Sequence, residues 1–348
     1  MKKLIMILCG VTLGSISPVM AEDMNVDTDD LMEEAPGISV TFSGEALMGL
    51  GRHSRKYPIL PASLRSSFPD SDHNYLINQY EFTFSSSGIT DSGLKFGGGI
   101  SIEDKRAPGV TGSEVYVGSS DGVWKLQFGG NDPGMEASGY FGYPSANDLV
   151  YPGNEDTTIG IYGGFGNTTF RITRSDPGAD ENLWSAGANF AGEKFEVGLG
   201  MDNEASLIFV IGYKFPGVEA KYFYGTYDSF GVKHFSYDNH LDRYDGKDFG
   251  VQAIIDMGDR STLTTSYSTR EVNGQTVDED GFSLPSAVLF HTDAKLIEVD
   301  FAHDLGGGIT FKTELSQVNA LTTLFEHDGP PLYSIKDTYL EMFLEMKF

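Results

Sequence analysis

Along the last twelve residues of this chain, Leu340, Met342, Leu344, Met346 and Phe348 share one parity, while Glu341, Glu345 and Lys347 share the other. A period of two sends successive side chains to opposite faces of a pleated strand, so the segment has one apolar face and one polar face. The alternation recurs upstream. Val40, Phe42, Ala46, Met48 and Leu50 oppose Ser39, Thr41, Ser43 and Glu45; Tyr80, Phe82 and Phe84 oppose Gln79, Glu81 and Thr83; Phe195, Val197, Leu199 and Met201 oppose Glu196 and Asp202. Read this way the chain predicts about sixteen strands, near 38–50, 74–87, 93–104, 113–119, 123–130, 157–164, 167–174, 182–191, 193–202, 206–215, 218–228, 247–257, 260–271, 292–304, 308–318 and 336–348.

The connections sort the architecture. Links after even-numbered strands are tight and carry the Gly, Asp and Asn that hairpin turns need for positive φ: Ser119 to Gly122, Gly163 to Asn167, Ala191 to Glu193, Pro216-Gly217, Gly258-Asp259 and Asp304 to Gly308. Links after odd-numbered strands are mostly long: 51–73, 131–156, 229–246, 272–291 and 319–335. Alternating short and long links, with Phe-rich outer faces, predict an all-β fold: a transmembrane antiparallel β-barrel over 37–348 with short periplasmic turns and long external loops. A soluble sandwich has no reason to gather its long loops at one end.

Composition adds a compartment and a sign. Lys2 and Lys3, the apolar stretch Leu4–Leu13 and Val19-Met20-Ala21 read as a signal peptide over 1–21, too short in its apolar part to span a bilayer as a helix. The single cysteine, Cys9, lies inside it, and Met6-Ile7-Leu8 ahead of it lack the small residue of a lipoprotein cleavage site. Losing Lys2 and Lys3 takes the formal charge from −26 to −28, which excludes nucleic acid as a partner and suits a protein that attracts cations. Residues 22–36 read as an acidic solvated segment. Asp23, Asn25, Asp27 and Glu34 fall at calcium-loop positions, but Thr28 occupies the place of the required glycine. The acidic links (Asp238, Asp242 and Asp245; Asp278, Glu279 and Asp280) have the charge density for weak Ca2+ binding and for bridging to lipopolysaccharide phosphates. No other cofactor is indicated. The seven histidines fall almost wholly in predicted loops without metal-ligand spacing, and the Gly-x-Ser-x-Gly match at Gly118 to Gly122 is a predicted hairpin turn and not a strand-to-helix elbow, so the chain does not read as an enzyme.

With its closing strand Tyr339–Phe348, its small-turn hairpins such as Ser185–Gly200 and its long link 131–156 after the fifth strand, the chain resembles the Gram-negative general-diffusion porins, most closely those of α-proteobacteria. That resemblance implies an outer-membrane homotrimer, a link after strand 5 folded into the barrel as a constriction, and a terminal Phe348 read by the outer-membrane assembly machinery. On that basis the acidic constriction candidates are Asp132, Glu136, Asp148, Glu155 and Asp156. Tyr140, Phe141, Tyr143 and Tyr151 are placed to pack on the wall. Basic wall candidates are Lys95, Lys125 and Arg171, on the parity opposite Phe96, Leu126 and Ile172, together with Arg174; Arg52 and Arg55 are candidates for the mouth. Gly97, Gly98 and Gly99, in mid-strand, suggest close approach of another segment, here the folded-in link. Trp124, Trp184, Tyr80, Tyr213, Tyr222 and Tyr267 are girdle candidates. The expected function is a cation-preferring channel for ions and small hydrophilic solutes; the alternatives are a substrate-specific channel and a structural or adhesive barrel with a plugged lumen.

Overall fold

The computed structural model describes residues 38–60, 62, 65–66, 68–103, 109–129, 134–140, 158–174, 184–202, 206–232, 241–258, 260–277, 289–324 and 331–348. They form sixteen strands: β1 Ile38–Lys56, β2 Ser71–Ile89, β3 Leu94–Glu103, β4 Gly109–Ser119, β5 Trp124–Gly129, β6 Thr158–Phe165, β7 Thr168–Arg174, β8 Trp184–Ala191, β9 Phe195–Asp202, β10 Leu207–Phe215, β11 Val218–Val232, β12 Leu241–Asp256, β13 Ser261–Val277, β14 Leu289–Gly306, β15 Ile309–Leu324 and β16 Pro331–Lys347. Each pairs antiparallel with its sequence neighbours, and β1 pairs with β16 to close the barrel, Glu45 opposite Lys347 and Arg55 opposite Asp337. The tight turns use glycine where expected: Gly122 and Gly217 take φ of 77° and 75°, values an L side chain adopts rarely.

All sixteen predicted strands are present, but the longer ones extend past their predicted external ends. β1 runs on to Lys56, β13 to Val277 and β15 to Leu324, while β16 begins at Pro331. Above the apolar band both faces are polar, as in Arg52, His53, Ser54 and Arg55, so the alternation that reveals the strand is lost although the ladder continues. Three histidines expected in loops therefore lie on strands: His53, His73 and His291.

The two faces are sorted by parity. Outward lie Val40, Phe42, Met48 and Leu50 on β1, Phe195, Leu199 and Met201 on β9, and Leu207, Phe209 and Ile211 on β10, all exposed. Trp124 and Trp184 are also exposed; they begin β5 and β8, strands of opposite direction, and so mark opposite rims. Tyr80, Tyr213 and Tyr222 share the outward face. Inward, Phe343 departs from the polar parity of the closing strand: it is buried with Leu47 and Ile77, against Tyr75, as a small apolar cluster across the β16–β1–β2 seam.

The described part of the segment after β5, residues 134–140, lies inside the barrel. Gly134–Ser138 forms a turn of 3-10 helix against β7, β8, β9 and β10. Gly134 N–H donates to Thr173 Oγ1 at 2.8 Å and to Ser185 Oγ, and Met135 is 2% exposed. The wall makes room with glycine: a Cβ on Gly198 would stand 1.8 Å from the Ser138 carbonyl oxygen. Among the described residues the close approach occurs at β8–β9, and the atoms nearest Gly97–Gly99 belong to β2 and β4. Tyr140, just beyond that turn, is latched. Tyr140 packs edge-on against Phe223, ring centroids 4.6 Å apart, and donates its hydroxyl to Asp248 Oδ2 at 2.8 Å. Asp248 also accepts from Arg270 Nε at 2.9 Å and from its second guanidinium arm at 2.6 Å. Breaking one member would leave a buried charge unpaired, a cost of several kcal/mol.

Gly198→Val is expected to push Gly134–Ser138 off the wall, lowering stability by about 1–3 kcal/mol and speeding proteolysis of the β5–β6 link; unchanged cleavage kinetics in the folded variant would contradict the packing. Phe343→Ala is expected to cost about 3 kcal/mol in urea unfolding, and a loss below about 1 kcal/mol would remove the seam cluster from the account.

Candidate functional site

A barrel with an outer apolar face confines its polar chemistry to the lumen, and there the charges divide by side. On β14, β15 and β16 the ladder sets Asp300 opposite Glu314, and Glu314 opposite Glu341. Glu298 lies on the same face of β14, accepting from Ser266 Oγ at 2.9 Å. Past Gly51, Tyr75 donates its hydroxyl to Glu341. Glu345 is held by Lys312 at 2.8 Å and approached by Lys347 at 3.5 Å, and Lys347 also reaches Glu45 at 3.8 Å. Next along the rows come Glu81, opposite Glu45, and Glu103, opposite Glu81. Among the described residues, Asp300, Glu314 and Glu341 have no cationic side chain within 4.0 Å. Like charges directly across a ladder are destabilising, so this row is maintained at a cost in stability.

Across the barrel the lumen is basic and aromatic. Lys125 sits 4.3 Å from the Tyr162 ring centroid and 5.6 Å from that of Tyr116, and bonds Gln127. Arg171 lies over the same Tyr162 at 5.0 Å and reaches Glu136 at 3.7 Å. Further round, Lys221 bridges Glu196 at 2.8 Å and Glu219 at 3.3 Å. These pairs leave the β5–β7 side near neutral or positive, opposite an acidic β14–β16 wall. A hydrated passage between them carries a transverse field.

The expected residues fall out as follows. Glu136 lies on the in-folded turn and pairs with Arg171. Asp132, Asp148, Glu155 and Asp156 lie outside the described residues, as do Phe141, Tyr143 and Tyr151. Lys125 and Arg171 meet on the lumen wall, and Lys95, also on lumen parity, lies on the same ladder row, which runs Lys95, Gly118, Lys125, Tyr162 and Arg171. Arg174 is a correction: it shares the outward parity of Phe170 and Ile172 at the external end of β7 and is exposed. Arg52 is a second correction. It stands on the outward face with Met48 and Leu50, its guanidinium 2.7 Å from Asp72. Arg55, on the opposite parity, faces the lumen near the external mouth, 2.5 Å from Asp337, which also meets His53 at 3.2 Å. Asp238, Asp278, Glu279 and Asp280 lie outside the described residues, and Asp245 accepts from Asn273 at 3.0 Å. The described residues contain no group of His, Cys, Asp or Glu arranged for a metal ion.

Alternation within a single strand does not reveal the acidic wall. Asp300, Glu314 and Glu341 occupy polar-parity positions whose common row depends on register. The tight turn Gly306–Ile309 sets Asp300 opposite Glu314, whereas Glu314 meets Glu341 across β15 and β16, strands that no tight turn joins.

The barrel is similar to solved outer-membrane proteins. A loop-deletion mutant of OmpT, an outer membrane protein of Vibrio cholerae, superposes with a TM-score of 0.62 at 9% identity, over 90% of this chain and 100% of that one. The anion-selective porin from Comamonas acidovorans gives 0.61 at 10% identity, over 89% and 100%. A trimer form of Vibrio cholerae OmpT gives 0.59 at 10%, over 90% and 100%. No curated protein matches the sequence. At these identities the structural likeness speaks for the fold. The family profile of the Gram-negative porins matches residues 13–323, most of the chain, and the chain therefore belongs to the Gram-negative porin family, an outer-membrane β-barrel channel.

Proposed function

We propose that the channel passes ions and small hydrophilic solutes by passive diffusion and prefers cations. The observation that carries this reading is the lumen row Asp300–Glu314–Glu341, flanked by Glu298 and lacking cationic partners within 4.0 Å among the described residues. The seat of selectivity thus moves from the link after β5, where Glu136 is tied to Arg171, to the wall facing it. Asp132, Asp148, Glu155 and Asp156 add charge of the same sign to that link. In a chain of formal charge −26, an acidic wall concentrates cations in the lumen and repels anions. The Comamonas acidovorans relative is anion-selective; the shared barrel does not set the sign, the lumen side chains do. The in-folded turn, bonded to Thr173, Ser185 and Asp248, supplies a fixed narrowing.

The same reading includes export under a signal over 1–21, removal of that segment, and recognition of the terminal Phe348 during assembly. It also includes a homotrimer, the assembly recorded for Vibrio cholerae OmpT. The outward face of β1 and β2, which sets Asn78 opposite Met48 beside Leu50 and Leu76, suits a neighbouring protein surface better than lipid tails.

Planar-bilayer recording of the purified protein in a KCl gradient tests this. A full charge about 4 Å from a passing ion is worth roughly 1 kcal/mol in water. The combined Asp300→Asn, Glu314→Gln and Glu341→Gln variant is therefore expected to lower the cation-to-anion permeability ratio at least about threefold. An unchanged reversal potential would remove the wall from the mechanism, and a folded barrel without conductance would return the plugged-lumen reading.

A further inference from the structure

We infer that the acidic segment 22–36 docks inside the barrel, against the basic side of the lumen near the periplasmic ends of β3, β5 and β7. The segment carries seven carboxylates between Glu22 and Glu34 and no Lys, Arg or His; it lies outside the described residues. Its attachment point is set by register. The ladder row that starts at Ile38 passes through Phe96, Leu126 and Ile172. Lys95, Lys125 and Arg171 are the chain neighbours of those three residues, turned to the lumen. The chain therefore enters β1 at the level where the barrel presents these cations. Pro36-Gly37, a turn-forming pair, stands immediately before Ile38.

The receiving surface is only partly neutralised. Among the described residues no carboxylate stands within 4.0 Å of Lys95 or Lys125. Arg171 reaches Glu136 at 3.7 Å, beyond the roughly 2.7–2.9 Å of a charge-assisted hydrogen bond. Glu114, two positions from Tyr116 on β4, faces the same space, so three cations meet two carboxylates. Lys125 and Arg171 both lie over the Tyr162 ring, 4.3 and 5.0 Å from its centroid, which places their heads without cancelling their charge. Gly118, between Lys95 and Lys125 in the ladder row, puts no side chain there.

Charge and length both match this occupant. The carboxylates of 22–36 are drawn to the β3–β7 side and repelled by the row Asp300–Glu314–Glu341 opposite. Leu31 and Met32, set between Asp30 and Glu33, suit the rings of Tyr116 and Tyr162. Six strand steps separate β1 from β7, roughly 29 Å at about 4.8 Å each. Val26 stands 12 residues before Ile38, a span of about 40 Å when extended. Seated there, the segment offsets the positive side of the lumen and so strengthens the cation preference proposed above, on which this electrostatic role rests.

Disulfide trapping in the exported protein tests the docking. The chain's one cysteine, Cys9, lies within 1–21, and intact mass checks the removal of that segment separately. Val26→Cys is combined either with Thr169→Cys, on lumen parity at the periplasmic end of β7, or with Thr310→Cys, on lumen parity at the periplasmic end of β15. Thr310 is two strand steps from β1 and Thr169 six, so an undocked segment favours Thr310. One contact between opposite charges about 4 Å apart is worth roughly a fivefold change in water, and the Thr169 pair is expected to form at least about fivefold faster than the Thr310 pair. Changing all seven carboxylates by Asp→Asn and Glu→Gln leaves the barrel untouched and is expected to abolish that preference, as is 1 M KCl, where the Debye length falls to about 3 Å. Deleting residues 22–36 is expected to lower the cation-to-anion permeability ratio about twofold. Equal or faster trapping at Thr310, or an undiminished Thr169 preference in the amide variant, would overturn the docking. An unchanged reversal potential after the deletion would remove its effect on selectivity. Trapping needs no current, so its outcome is separate from that of the lumen row.

Discussion

In hydrocarbon, an unpaired backbone N–H or C=O costs several kcal/mol, so a sheet that crosses a membrane has no admissible edge. The pairing of β1 with β16 meets that constraint, and the rest of the structure depends on it. Closure makes an inside and an outside, so that parity along a strand becomes a choice between water and lipid. It also explains the apolar exception on the closing strand. Phe343, with Leu47 and Ile77, adds side-chain packing inside the lumen across the one seam that joins the two ends of the barrel chain.

The in-folded turn poses the opposite problem. A segment within a barrel must satisfy its own polar backbone and still leave a passage. Here the wall strands β8 and β9 recede by carrying glycine, and Thr173, Ser185 and Asp248 offer acceptors for the groups that arrive. The Tyr140–Asp248–Arg270 latch is held in near-complete burial, the two charged side chains 2% and 3% exposed. A buried charge pair of this kind is poor evidence for net stability; what it does here is hold the acceptor of the Tyr140 hydroxyl from two sides.

How much of this was legible depends on the range of each signal. Strand number, strand direction and closure are local signals, carried by alternation and by Gly-rich turns, and they read through. The sidedness of Lys125, Arg171 and Arg55 also follows from neighbours one residue away. Arg52 and Arg174 lie near external links, which suggests a pore role, but Leu50 and Ile172 beside them in parity put both outside. Strand ends were clipped because alternation needs contrast, and above the membrane both faces are wet. The site itself is a relation between strands. Whether Glu314 meets Glu341 or a lysine depends on register, and a slip of two residues on one strand would set Lys312 opposite Glu341.

That last point bears on why the lumen row is informative. The cations needed to quench it are close at hand: Lys312 is two residues from Glu314 but is engaged with Glu345, and Lys336 is five residues from Glu341 but faces outward. With 24 Lys and Arg against 50 Asp and Glu, cations are scarce. Several are nonetheless placed on the outside of the barrel, Arg52, Lys247 and Lys336 among them, while carboxylates are left facing one another in water. Stability alone would favour the reverse, since cross-strand pairs of opposite charge stabilise and like pairs do not. The segregation has a physical rationale if each face answers to a different medium. A hydrated lumen screens the repulsion and uses the field, whereas the outer rim borders the membrane's anionic headgroups. The sign of the charge at each position then reports what that face of the strand meets, which turns the two-residue period of the closing strand from a statement about solubility into one about function.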